Sequence, residues 1–403
     1  MRIPLASSGL REIDIQKAIE VLKSGNLTMG NYVKEFEAAM SEYLKVKNFI
    51  MVNSGSSANL VMLEALLRPT KSTPQLHPGD SVLVPAVAWP TTIWPIIQLG
   101  LNPIFVDIDP KTLALDLDLA QNLIDNSRIN IRAIFPIHPL GLSISGSKLE
   151  EFVNKNDLIL ISDTCESLGS WDNLGHAGTQ GIAGSFSFYF SHHITTMEGG
   201  GIATNNDDYA DDLRSMRSHG WSRDRSDSAH WTKEKSTNDA KFLFVSTGFN
   251  IRPMEIQAAI GLSQVSEIDR FVNRRRLIAR SIHTAIQGTD LSVIGSERLV
   301  NPELERSHSW MLVPILVNGT NAIERKGEII NKLNNLGVET RPVLTGNFLA
   351  QPAIQRITKN NMSPKEFVNA TYIENCAFLV GAHHDLSDSQ IEFLCTALKS
   401  SSS

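Results

Sequence analysis

Between Phe49 and Thr204 the chain alternates short apolar runs with longer amphipathic stretches. That rhythm confines it to a mainly parallel α/β sheet with helices on both faces. The spacing predicts strands at Phe49–Val52, Ser81–Val84, Asn102–Val106, Ile131–Ile137, Leu158–Ser162, Gly184–Phe190 and Gly201–Thr204. Helices are expected at Ala58–Leu67, Thr91–Leu99 and Lys148–Asn156. From Met254 the pattern changes to long helices with apolar residues three and four apart. An α+β stretch follows, with strands at Ser309–Leu316 and Val338–Arg341 and helices at Ala322–Leu336 and Leu386–Ala397. A chain of 403 residues exceeds the roughly 250–300 at which one core stops growing. Two domains are therefore expected, 1–260 and 261–403, with the boundary inside the long helices near 255–275. Arg223–Asp239 reads as a mobile surface loop, Arg274–Arg276 as a solvated helix face or subunit contact, and Ser400–Ser403 as a frayed end.

The charge balance narrows the function. With 37 basic and 43 acidic side chains, the net charge of −6 argues against nucleic acid or an anionic membrane as partner. No signal-peptide core occurs at the N-terminus, and no stretch reaches the ~20 apolar residues of a membrane span, so a cytoplasmic enzyme is expected. Cys165, Cys376 and Cys395 are too few for a disulfide framework and one short of a four-thiolate iron–sulfur site.

Several segments carry chemistry. Gly55-Ser56-Ser57 follows a strand and opens a helix, where free backbone N–H groups can hold an anion; a plain helix cap by Ser54 or Ser56 is the alternative. Asp163 ends a buried strand, and a carboxylate there needs a cationic partner. A protonated pyridine nitrogen is an economical one, with helix capping the bland alternative. Downstream, SFSFYFSHHITTMEGGG packs Ser187, His192, His193 and a glycine run together, and GFNIRPMEIQAA leads from Asn250 into an apolar helix.

In order along the chain, NLTMGNYVKEFE, VNSGSSANL, VPAVAWPTTIWPI, SDTCESLGS, SFSFYFSHHITTMEGG, GFNIRPMEIQAAIG and VETRPV resemble the DegT/StrS-type sugar aminotransferase family of pyridoxal-phosphate enzymes. The resemblance implies the aspartate aminotransferase-like fold type I, α/β, with a large cofactor domain and a small α+β C-terminal domain. It also implies that Gly55, Ser56 and Ser187 hold the cofactor phosphate and that Trp89 stacks on the ring. Asp163 would meet the pyridine nitrogen, Glu166 would lie beside the cofactor, and Asn250 would reach the phosphate of a partner subunit in a homodimer. His219 and Arg341 would line the substrate pocket.

Two departures matter. Where transaminating members carry the Schiff-base lysine this chain has His192, and no lysine occurs between Lys155 and Lys233. Where they usually have glutamine it has Glu166. Both changes resemble the branch of 3-dehydratases that make 3-deoxy sugars from nucleotide-linked 4-keto-6-deoxyhexoses. That likeness implies non-covalent pyridoxamine phosphate, His192 as base with His193 as its rival, and L-glutamate as amino donor. Three cysteines set aside the iron–sulfur sub-branch, and Arg341–Phe348 resembles the loop of members acting on GDP-4-keto-6-deoxy-D-mannose in colitose synthesis. A nucleotide-sugar aminotransferase and an inactive pyridoxal-phosphate-binding regulator remain as alternatives. No metal site is read, and His138 reads as a packed strand-end residue.

Overall fold

The computed structural model describes residues 1–71, 73–357 and 362–402. Strands β1 (Asn48–Val52), β2 (Ser81–Pro85), β3 (Asn102–Val106), β4 (Ile131–Ile134) and β5 (Ile159–Asp163) are short apolar runs, each joined to the next through a helix. A small hairpin, β6 (Trp171–Asp172) and β7 (Gly175–His176), precedes β8 (Ala183–Ser187) and β9 (Gly200–Thr204). The seven-stranded sheet runs β1-β9-β8-β5-β4-β2-β3. Its ladders from β8 through β3 are parallel, and β9 alone is antiparallel to both neighbours. The second sheet, β10 (Leu291–Val293), β11 (Leu312–Val317), β12 (Thr340–Arg341) and β13 (Ala377–Gly381), is antiparallel in the order β10-β11-β13-β12. This is the expected α/β fold with an α+β second part.

One helix, Ile268–Ala285, serves both cores. Its first half packs Ile268, Phe271 and Val272 against Phe36, Phe49 and Phe188. Its second half packs Ile278, Ala279 and Ile282 beneath the antiparallel sheet. The N-terminal segment crosses over as well, with Ile3 bridging Val338 and buried in the second core.

The structure corrects five sequence expectations. The predicted strand Ile131–Ile137 ends at Ile134, and Gly184–Phe190 ends at Ser187, because both chains leave the sheet to form loops at its carboxyl edge. Arg223–Asp239 contains short helical turns, Ser222–Asp224 and Ser228–Thr232 among them. Its Arg225 is buried, bonding Asp212 at 2.8 Å and Asp227 at 2.7 Å; charge-rich composition hid an internal ion-pair network. Arg275 and Arg276 are buried rather than solvated, because the helical turn aims them into the seam between the sheets, and only Arg274 reaches an exposed carboxylate, Asp388. The last helix runs on through Asp388–Ser401, with Leu394, Ala397 and Leu398 buried; Ser403 lies outside the described residues.

Candidate active site

Sheet register brings the expected residues to one edge. Val52 pairs with Gly200, Gly200 with Ser187, and Asp163 with Ser185, so the ends of β1, β8 and β5 and the start of β9 lie side by side. Ligands of open α/β sheets bind at that carboxyl edge. Close approach of backbones there demands glycine. A Cβ on Gly55 would stand 2.7 Å from Ser187 Cβ and 2.8 Å from Cys165 Sγ, and one on Gly200 would strike the Ser54 backbone.

Ser54 caps the helix Gly55–Leu67, accepting from Ser57 N at 3.1 Å. That leaves the exposed Ser56 and the first-turn N–H groups facing out, an anion cradle beside half-buried Ser187. Asp163 is 5% exposed and accepts from Asn59 Nδ2 at 2.8 Å, Thr92 Oγ1 at 2.6 Å and Cys165 N at 3.1 Å. Among the described residues it has no ion-pair partner. Asn59 and Thr92 were missed by sequence reasoning. The signal was available in part: Asn59 is a polar residue inside the apolar run of its helix, one turn beyond Gly55. Trp89 lies one turn before Thr92, at the N-cap of Pro90–Gln98, with 52% of its surface exposed at this edge.

His192 occupies the loop between β8 and β9. Its Nδ1 lies 2.6 Å from the Cys165 carbonyl, so this nitrogen carries the hydrogen and Nε2 keeps its lone pair. Loss of hydration, with the charges of Arg341 and Arg275 adding to it, lowers the imidazole to about 4, against a smaller pull from Asp163. His193 is buried, with Nε2 donating to the Ser309 carbonyl at 3.1 Å and Nδ1 lacking a partner. It faces the second sheet, which separates the two neighbouring histidines by orientation.

Glu166 accepts from Leu140 N at 2.8 Å. Burial pushes its carboxyl up to about 7, against the opposing charge of Arg341, with Asp163 adding to the rise. Arg341, on β12, thus lies within electrostatic reach of both Glu166 and His192 although it comes from the other sheet, and its Nε is buried without a partner. His219 and Asn250 are exposed, on a paired segment where Ser218 bridges Asn250 and Ile251 O accepts from Asn53 N at 3.0 Å, which joins it to the chain just before the Gly55 cradle. Met197 takes a left-handed φ of 68°. An L side chain there stores strain of about 1–2 kcal/mol beside the site.

His138 is buried at the end of β4, as expected, and burial lowers it to about 3. Burial likewise lowers His176, His383 and His384 to about 4, and His193 and His308 well below the ordinary range. These depressed imidazoles, His192 included, bind protons more weakly in the fold than in the unfolded chain. Their contribution to stability is full above about pH 6.5 and is lost as pH falls toward 4. Raised Glu166 has the opposite sign, favouring the fold at the acid end of the window from about 4.5 to 7 and losing that as pH rises. The single carboxyl is outweighed by the histidines, so the melting temperature should fall steadily between pH 7 and pH 4. A melting temperature that stays level or rises on acidification would contradict this balance.

A family model described as the DegT/DnrJ/EryC1/StrS aminotransferase family matches residues 9–399. The GDP-4-keto-6-deoxy-D-mannose 3-dehydratase of Yersinia pseudotuberculosis is 36% identical over 99% of this chain and 98% of its own length. Two solved structures of GDP-4-keto-6-deoxymannose-3-dehydratase superpose with a TM-score of 0.87, each covering 99% of this chain and 100% of its own. One is a His-to-Asn variant with bound GDP-perosamine, at 33% identity. The other holds a trapped PLP-glutamate geminal diamine, at 34% identity.

Proposed function

Because the chain belongs to the DegT/DnrJ/EryC1/StrS aminotransferase family, we propose that it is a pyridoxamine-phosphate-dependent 3-dehydratase of a nucleotide-linked 4-keto-6-deoxyhexose, with GDP-4-keto-6-deoxy-D-mannose as substrate. The observation that carries this reading is His192 on the loop between β8 and β9, with no lysine between Lys155 and Lys233 to hold the cofactor covalently.

The residues present fit the cofactor. The glycine-lined cradle of Gly55, Ser56 and Ser187 suits its phosphate, and buried Asp163 has no cation of its own among the described residues. When bound, pyridoxamine phosphate supplies an amine for the sugar ketone and a protonated ring that draws electrons from the neighbouring carbon. Asp163, steadied by Asn59 and Thr92, would keep the ring nitrogen protonated, and Trp89 would lie against the ring. Nε2 of His192 would take a proton from the carbon next to the amine and give it to the departing C3 hydroxyl. Its low basicity keeps it unprotonated at neutral pH, as a base must be. Glu166, poised near 7, can hold a proton in the pocket, while Arg341 and His219 bind the substrate. L-Glutamate is the proposed amino donor that restores the amine form.

Residues 1–260 would hold the cofactor and 261–403 would cover it. A homodimer would complete each site through Asn250. The helix Glu12–Ser24 supports this with Ile15, Ile19 and Leu22, a one-sided apolar stripe left exposed. A cytoplasmic location accords with three free cysteines. Among the described residues, no helix is long and apolar enough to cross a membrane.

Incubation with pyridoxal phosphate, L-glutamate and GDP-4-keto-6-deoxymannose should release ammonia and a 3-deoxy sugar. An aminated sugar would refute the dehydratase in favour of an aminotransferase. Turnover of CDP- or dTDP-linked 4-keto sugars in preference would overturn the choice of nucleotide.

A further inference from the structure

Arg275 lies in the middle of the helix Ile268–Ala285 and is 1% exposed. Its Nη2 donates to the His192 carbonyl at 3.1 Å, and its Nη1 donates to the carbonyls of Met311 at 2.8 Å and Ala382 at 3.4 Å. Those oxygens come from the β8–β9 loop, the residue before β11 and the residue after β13. Among the described residues no carboxylate touches the guanidinium; Asp385 acts on it only at a distance. Burial lowers it to about 10, so it stays charged at neutral pH. A buried cation held by carbonyls alone is expensive, and only the rigid fork of arginine reaches three such groups at once.

We infer that Arg275 is a positioning residue for His192, fastening the histidine's loop to one end of the antiparallel sheet, where β11 begins and β13 finishes. The inference rests on the proposed role of His192 as base. The histidine is gripped twice: its backbone carbonyl by Arg275 and its ring Nδ1 by the Cys165 carbonyl. Only Nε2 is left to act. Behind the loop is a small cavity lined by His192, His193, Gln264, Arg275, His383 and His384. The electrostatic consequence has a definite sign. Arg341 on β12 and Arg275 on the long helix disfavour protonation of His192, while Asp163 favours it. The other titratable groups nearby are Cys165 and Glu166 after β5, Tyr189 and His193 on its own loop, and His383 and His384, which line the same cavity. Neutralising Arg275 therefore raises the basicity of His192.

The test compares Arg275→Lys, Arg275→Met and Arg275→Ala with the wild type in the full-length, cofactor-loaded protein. Expected is a fall in kcat of about 10- to 100-fold with sugar KM and cofactor affinity nearly unchanged, because misplacing a catalytic group costs that much without touching binding. Lys should lose least. Millimolar guanidinium ion should restore part of the kcat of Arg275→Ala. In protein labelled at histidine ¹³Cε1, with the signal assigned through His192→Asn, the His192 titration should move upward in Arg275→Met. Folded variants with wild-type kcat and an unmoved His192 titration would overturn the inference. So would a loss of bound cofactor in step with kcat, the mark of general destabilisation. The NMR titration needs no turnover, so it decides the role of Arg275 even if the wild type proves not to be a dehydratase.

Discussion

His192→Asn is expected to lower dehydration by about 10³-fold, within the range that a positioned acid–base contributes, while leaving cofactor binding within a few-fold of wild type. The asparagine amide can still donate to the Cys165 carbonyl, which His192 Nδ1 meets at 2.6 Å, so the loop has reason to keep its shape. What disappears is the lone pair at Nε2. Neither neighbour can take over. His193 Nε2 is engaged with the Ser309 carbonyl in the interior, and Glu166, near pH 7, is tied to Leu140 N and faces the charge of Arg341. Ammonia release under substrate saturation and absorbance titration with pyridoxal phosphate separate the two effects. A variant within tenfold of wild-type turnover would remove His192 from the chemistry.

Asp163→Asn should be as damaging, by about 10³-fold in kcat or about 4 kcal/mol of barrier. The buried carboxylate accepts every hydrogen bond it makes, from Asn59, Thr92, the Cys165 backbone and, at 3.5 Å, Ser185 Oγ. An amide puts an NH₂ where at least one of those donors already points, and it offers no charge to keep a ring nitrogen protonated. Unlike His192→Asn, this change should also weaken cofactor retention and shift the absorption of the bound cofactor. Full activity with an unchanged spectrum would mean that Asp163 is only structural. The pair of variants thus separates proton transfer at Nε2 from electronic control at the ring.

Much of this site was legible because its residues occupy positions that any parallel sheet must create. Gly55, Asp163 and Ser187 each end a strand or open the helix after it, and strand alternation and turn chemistry are local properties of sequence. The residues that were missed act across the fold. Asn59 and Thr92 converge on one carboxylate from two helices, although 32 positions separate one from the Thr91 carbonyl that the other's helix presents. Arg275 looked like the centre of a solvated basic run because charge pattern reports composition, whereas helical phase against two sheets decided that it points inward. Arg225 was misread for the same reason.

The sequence by itself determined the α/β class, the order of the strands along the chain and the replacement of a lysine by His192, since periodicity and residue identity are written there. Only the tertiary structure decided which nitrogen of His192 is free, that His193 faces the interior, and that an arginine from the long helix holds the loop in place. Those are matters of hydrogen-bond direction and burial between segments 27, 116 and 83 residues apart, which no local pattern encodes.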